Sequence, residues 1–435
     1  MIIKMLSPSF SVFVIIVCTI VLFESSLGHR NLVENSILLQ EDPVVEAPVG
    51  TIVGSWEQTE NGIPFRSFRG LKYASAIERF QQAVMVDKYE EELYEAQSNG
   101  AMCPQLNGDY TLPDNVDEDC LYLNVYAPED VGEKLPVMVW IHGGSWQVGT
   151  GSNYGPNFYL DKNVIIVTIN YRLGALGYLS LENNIMPGNM GYRDQNVALR
   201  WVKENIESFG GDSLDITVFG ESAGSFSVIY QVLSPLSSGL FQKAIAQSGA
   251  PLAPMYKTGR PGFHRNITVS YGRYFGCSTD SDDTLLECLS SKSMEEILYA
   301  DVLCKDDFFC TGNPWGIAVI DTYSKAPFVK DTPENLLRSG QYNQVPIVMG
   351  INSEEGIFSA ATFIWDETKF DEINEFWNFW GPVAIYDISS ATEDQIEIAS
   401  LVKEFYLKGK PASIETIHDV IDMYSDIVFW AGVHR

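Results

Sequence analysis

Two stretches of the chain are apolar on successive residues, without the alternation of a half-buried strand. They are LPVMVWIHGG (Leu135 to Gly144) and NVIIVTINYR (Asn163 to Arg172). Runs that are apolar on both faces fit central strands of a mostly parallel sheet. RDQNVALRWVKENIESFGGD (Arg193 to Asp212) predicts a helix, with Val197, Trp201, Ile206 and Phe209 near one stripe and Gly210–Gly211 as its stop. DITVFG (Asp215 to Gly220), FQKAIAQSG (Phe241 to Gly249) and QVPIVMGIN (Gln344 to Asn352) read as three further strands. Strands alternating with helices predict a doubly wound α/β sheet with helices on both faces. Leu252 to Asp331 is less regular, and is expected to form loops and helices over the sheet edge where ligands of open α/β sheets bind.

The first residues break this pattern. Lys4 precedes an apolar run from Phe10 to Phe23, and ESSLGHR follows. A short cationic start, an apolar centre and small residues near Gly28 read as a secretory signal over residues 1–28. The competing reading is a membrane anchor, but the run is short of the ~20 residues a spanning helix needs. The remainder, 29–435, carries no tandem repeat and no Pro/Ser-rich linker that would divide it. By length it allows one large domain or two smaller ones.

Composition adds limits. The chain is 46% hydrophobic and 20% charged, ample for a large core, and its formal charge is −29. Phosphate binding needs clustered Lys and Arg, so the charge argues against a nucleic-acid partner. Removal of Cys18 with the signal would leave six of the seven cysteines. Six cysteines allow fifteen pairings, and secreted chains oxidise their thiols. Local loops suggest Cys103 with Cys120, Cys277 with Cys288, and Cys304 with Cys310; free buried thiols are the alternative, above all for the last pair. No Cys-x-x-Cys or Cys/His cluster points to zinc, and no other cofactor or metal is expected. Asn266-Ile267-Thr268 is an Asn-x-Ser/Thr acceptor for glycosylation.

The chemistry concentrates in TVFGESAGSFSV, residues 217 to 228. It reads strand, Gly-x-Ser-x-Gly, helix, the way a serine nucleophile is displayed above an α/β sheet. Ser222 is the candidate nucleophile, and Gly220 and Gly224 flank it because the turn leaves little room for side chains. Acyl transfer also needs N–H donors aimed at the developing oxyanion. Ala223, the residue after the nucleophile, would give one, and the loop HGGSWQVG would give two more from Gly143 and Gly144. His142 is expected to pack beneath this loop rather than to act as a base.

FGGDSLDITVFGESAG and EDCLYLNVYAP resemble both signature segments of the type-B carboxylesterase family, which includes the cholinesterases. NYRLGALGYL and GNMGYRDQNVALRWVKENI fit as well, and the match runs from about Val44 to the last residue. The resemblance implies an α/β-hydrolase with a Ser–Glu–His triad in that chain order. In GINSEEG it places the acid at Glu355, with Glu354 the competing choice. The carboxylate orients the imidazole and stabilises its charged form.

The resemblance also implies a histidine well after the acid. Only His418 and His434 follow Glu355, His418 in a stretch that reads as helix and His434 as the penultimate residue. The base is therefore expected beyond residue 435, and the chain reads as a shortened form of the family's fold. Triad members act as a unit, and loss of the histidine removes on the order of 10⁶ in turnover. Part of the sheet is then expected to lie unpaired, an aggregation liability.

Cholinesterases of this family hold the choline cation on a Trp in the first disulfide loop. Here that loop, CPQLNGDYTLPDNVDEDC, has no Trp and only Tyr110 as a weak π face. The expected function is thus a secreted serine carboxylesterase acting on neutral apolar esters. The alternatives are an inert or adhesion-type member of the family and, less favoured, an acetylcholinesterase-like enzyme.

Overall fold

In a computed structural model of the chain, the described residues are 41–129, 132–253, 258–303, 315–386 and 392–434. The expected signal segment 1–28 and the pair Cys304 and Cys310 lie outside them. Val45–Arg435 forms a single compact unit. No helix among the described residues is long and apolar enough to cross a membrane.

The unit is built on an eight-stranded mixed sheet. Its strands are β1 (Ser55–Gln58), β2 (Pro64–Lys72), β3 (Tyr122–Pro128), β4 (Leu135–Ile141), β5 (Ile165–Ile169), β6 (Gly211–Glu221), β7 (Lys243–Gln247) and β8 (Ile347–Gly350). They lie in the order β8-β7-β6-β4-β5-β3-β2-β1. From β5 to β8 the neighbours are parallel, whereas β1, β2 and β3 pair antiparallel. β5 is buried at every residue, as a continuous Ile-Ile-Val-Thr-Ile run requires of a strand covered on both faces.

Register decides where the site forms. Gly220 of β6 pairs with Ile141 of β4 and with Ala246 of β7, and Gln247 of β7 pairs with Gly350 of β8. Four parallel strands therefore end at one level, and the segments that follow them emerge along one carboxyl edge. Those segments begin at His142, Ser222, Ser248 and Ile351.

The predicted helix after β5 forms as α1 (Met190–Asn205), followed by a 3-10 turn, Ile206–Phe209. Gly210, left-handed at φ 93°, ends that turn; Gly211, expected as part of the stop, is instead the first residue of β6. α1 is buried on nearly all sides rather than along one stripe. Its polar residues are tolerated there because they bond within the core. Arg172 grips Asp194 through Nε and Nη2 at 2.7 Å each, and Arg193 Nη2 meets Asp321 Oδ2 at 2.5 Å.

The segment Leu252–Asp331, expected as loops and helices, forms both where described: α3 (Phe263–Tyr274), α4 (Asp282–Ser290) and a further helix, Met294–Leu303, follow α2 (Ala223–Leu233), with loops between them. Cys277–Cys288 ties α4 to the end of α3, and Cys103–Cys120 closes the earlier loop. At the other end of the sheet, β8 is an edge strand. Ile347, Val348 and Met349 are 36%, 65% and 38% exposed, so its apolar residues face solvent.

Candidate active site

Ser222 stands at the junction of β6 and α2 (Ala223–Leu233). Its backbone is held at φ 54°, ψ −123°, a region that costs a non-glycine residue about 1–3 kcal/mol. Three contacts hold it there. Ser222 N donates to Gln247 O at 2.9 Å, Phe226 N donates to Ser222 O at 3.1 Å, and Ser225 Oγ donates to Gly249 O at 2.7 Å. The flanking glycines are needed for close approach: a Cβ on Gly224 would lie 2.0 Å from Ile141 O, and one on Gly220 would lie 2.6 Å from the same oxygen. Both substitutions would push backbone against backbone. Ala223 opens α2, so its N–H is among the first-turn donors that no helical carbonyl satisfies.

The loop after β4 reaches this turn. A Cβ on Gly143 would lie 3.2 Å from Ser222 Cβ and 2.7 Å from Glu221 O. Gly144, Ser145 and Trp146 follow with φ of 103°, 57° and 56°, a left-handed stretch closed by Gln147 N and Val148 N donating to Gly144 O. Trp146, unremarked in the sequence, is the buried anchor of the loop. Its Nε1 donates to Ser227 Oγ on α2 at 3.3 Å, and its ring meets Phe226 edge-on.

Glu355 follows β8. Its Oε1 accepts from Ser248 Oγ at 2.5 Å, from Asn352 N at 2.8 Å and from Asn352 Nδ2 at 3.2 Å. Glu354, the competing choice, instead faces His418, with Oε1 3.9 Å from Nδ1. Glu221 lies close enough to Glu355 to sense its charge. Partial burial first, and then the Glu355 carboxylate, raise Glu221 above the ordinary carboxylate value, although the residue keeps an exposed face. Ser248 and Glu221 carry no sequence signal beyond their neighbourhood; only the register of β6, β7 and β8 brings them to Glu355.

The histidines divide clearly. His142 is fully buried, its Nδ1 lies 2.8 Å from Gly143 O, and its ring stacks on Tyr171. Burial holds it down at about 4, against the smaller opposing effect of the Gly143 bond, so it stays neutral. His264 sits buried on α3 beside Phe263 and is held down to about 3, by burial first and then by Arg260. His418 lies on the exposed side of α7 (Ile417–Ser425), numbered after α5 (Ile357–Trp365) and α6 (Glu393–Leu407). His434 is exposed at the end of a short helix, Ala431–His434. That helix packs on the segment after β7, where a Cβ on Gly432 would lie 2.9 Å from Ala250 O. Among the described residues, none of these four imidazoles is hydrogen-bonded to the Ser222 hydroxyl.

Asn266 is exposed on α3, while Thr268 of the same acceptor is buried and donates to Ser180 O. Among the described residues no group of three or more His, Cys, Asp or Glu could hold a metal ion. A separate small cavity is lined by Ala76, Arg79, Pro104, Glu118, Arg172 and Leu176, and includes none of the groups around Ser222.

A serine on a strained strand–helix turn, faced by a glycine loop and neighboured by a bonded carboxylate, is an arrangement suited to acyl transfer. Comparison with known proteins agrees. Residues 41–435 match the model of the carboxylesterase family. Venom carboxylesterase-6 of Apis mellifera is 34% identical over 398 residues, covering 89% of this chain and 70% of that protein. Juvenile hormone esterase of Tribolium castaneum is 33% identical over 411 residues, covering 90% and 69%. A crystal structure of juvenile hormone esterase from Manduca sexta, with OTFP covalently attached, is similar with a TM-score of 0.76 at 28% identity, covering 90% of this chain and 74% of that chain. The chain belongs to the carboxylesterase family and has the α/β-hydrolase fold of an ester hydrolase.

Proposed function

We propose that the protein is a secreted serine esterase that works through an acyl-enzyme on Ser222. Ser222 Oγ attacks the ester carbonyl, and the N–H groups of Gly143, Gly144 and Ala223 receive the developing oxyanion. Expulsion of the alcohol leaves the acyl group on Ser222, and water then releases the acid. Glu355 is the triad carboxylate, and orients the imidazole that takes the Ser222 proton. That imidazole follows Glu355 in chain order. His142 and His264 are excluded by burial and His418 by its exposed place beside Glu354. The packing of Ala431–His434 on the Ala250 segment favours, as a second reading, His434 as that base.

The observation that carries the reading is the contact between the Gly143 loop and a strained Ser222. Substrates are neutral apolar esters, which suits a first disulfide loop without a Trp. Secretion is read from residues 1–28, with glycosylation at Asn266 and a third disulfide, Cys304–Cys310, as its companions. A fluorophosphonate probe tests the nucleophile: it should label wild type at Ser222 and leave Ser222→Ala unlabelled. Equal labelling of both would remove the assignment.

A further inference from the structure

The two glycine N–H groups proposed to receive the oxyanion belong to peptide planes whose opposite edges are both held. A peptide unit is planar and trans, so fixing its carbonyl fixes the direction of its N–H. The Gly143 N–H shares a plane with the His142 carbonyl, and Tyr171 Oη donates to that carbonyl at 2.7 Å. The Gly144 N–H shares a plane with the Gly143 carbonyl, and His142 Nδ1 lies 2.8 Å from that oxygen. The His142 ring that makes the second bond is itself fixed by Tyr171, stacked on it at 4.4 Å between centroids. One buried tyrosine therefore acts on both planes, once through its hydroxyl and once through its ring.

The far end of the loop is clamped as well. The Gln105 side-chain amide meets both main-chain groups of Gly149, with Nε2 donating to Gly149 O and Oε1 accepting from Gly149 N, each at 2.8 Å. Gly149 has φ 119° and no room for a side chain: a Cβ would lie 2.4 Å from His142 Nδ1 and 2.8 Å from Gly143 O. Gln105 belongs to the Cys103–Cys120 loop and also donates to Cys103 O at 3.0 Å. Asn170, the neighbour of Tyr171, accepts from Gly151 N at 2.8 Å and donates to Cys120 O at 3.2 Å. The disulfide loop, left without a task once a choline site is set aside, thus backs the glycine loop.

We propose that Tyr171 is a positioning residue for ester hydrolysis: its hydroxyl and ring set the planes that aim the Gly143 and Gly144 N–H groups at the Ser222 site, while Gln105 holds the loop's other end. The inference rests on the reading of Gly143 and Gly144 as oxyanion donors. Tyr171 is fully buried, and burial pushes its hydroxyl far above the ordinary tyrosine value, so it remains a donor at any working pH.

The test compares full-length wild type with Tyr171→Phe, Gln105→Ala and the exposed control Asn107→Ala, using two readouts. The first is amide exchange and needs no catalysis. Both loop variants should speed exchange at Gln147, Val148 and Gly149 by about 10-fold or more, with β5 amides unchanged, as expected of local opening. Unchanged loop exchange in Tyr171→Phe would overturn the clamp. The second is the rate at which a fluorophosphonate labels Ser222, split into binding and reaction. Misaimed donors should slow the reaction step by about 10- to 100-fold and leave probe binding within about twofold. A full reaction rate in a loosened loop would overturn the aiming role. Ser222→Ala labelling as fast as wild type would instead sink the nucleophile reading, so the two failures are separable.

Discussion

Ser248 Oγ donates to Glu355 Oε1 at 2.5 Å, joining the end of β7 to the segment after β8. The same serine donates its N–H to Gly350 O at 2.8 Å, and its φ of 63° turns the hydroxyl toward the carboxylate. The Glu355 carboxylate is therefore oriented by a side chain from a neighbouring strand, not only by its own loop. Ser248→Ala should lower Ser222-dependent turnover by about 10-fold, the value of one hydrogen bond to a charged group. Ser248→Gly, which relieves the backbone but also lacks the hydroxyl, should match it. Recovery of activity in the glycine variant alone would mean that backbone geometry, not the hydroxyl, is what matters.

Gly224→Ala places a methyl group 2.0 Å from Ile141 O, and neither backbone can yield without moving α2 off β4. We expect a loss of about 2–4 kcal/mol in stability, together with loss of probe labelling at Ser222. Urea titration read by fluorescence, beside the labelling assay, measures both. A stable variant that still labels would show that the turn tolerates a wider radius.

Stability should fall as pH drops from about 6.5 toward 4. His142 and His264 are held down to about 4 and about 3 by burial, so in this window the unfolded chain binds protons that the folded chain refuses. Unfolding free energy then rises with pH, by up to about 1.4 kcal/mol per pH unit for each histidine. The contribution is fully present above about 6.5 and is lost on acidification. His264→Gln, remote from the Ser222 turn, should flatten the slope measured by urea midpoints between pH 4.5 and 6.5 (about one proton less). An unchanged slope would show that His264 takes up its proton in the folded state.

Val348 on the edge strand β8 is 65% exposed, beside exposed Ile347 and Met349. An apolar strand with an unpaired edge templates association. Val348→Lys should lower light scattering during prolonged incubation and leave the far-ultraviolet circular dichroism spectrum unchanged. Scattering equal to wild type would place the aggregating surface elsewhere, for example at Phe358 and Trp365 of α5, which are 84% and 86% exposed.

The sequence by itself determined the strands that carry chemistry and the residues at their ends. Continuous apolar runs at Leu135–Ile141 and Ile165–Ile169 became β4 and β5 because strands covered on both faces need no polar alternation. The strand–helix turn at Ser222 and Ala223 and the glycine loop at Gly143 that faces it were legible because both are local features. Two disulfides could be read because each closes a short loop. Tertiary structure alone decided the rest. α1 carries buried Asp194 and Arg193, whose partners Arg172 and Asp321 lie 22 and 128 residues away, so no local period could reveal that it is enclosed. Helices were expected between Leu252 and Asp331, but the bounds of α3 and α4 were not legible there, since their burial is set by distant packing. Ser248 reaches Glu355, and Tyr171 reaches the His142 carbonyl, across 107 and 29 residues. Such pairings depend on which strands are neighbours and in what register, and hydrogen bonds across a sheet edge leave no periodic trace in the chain.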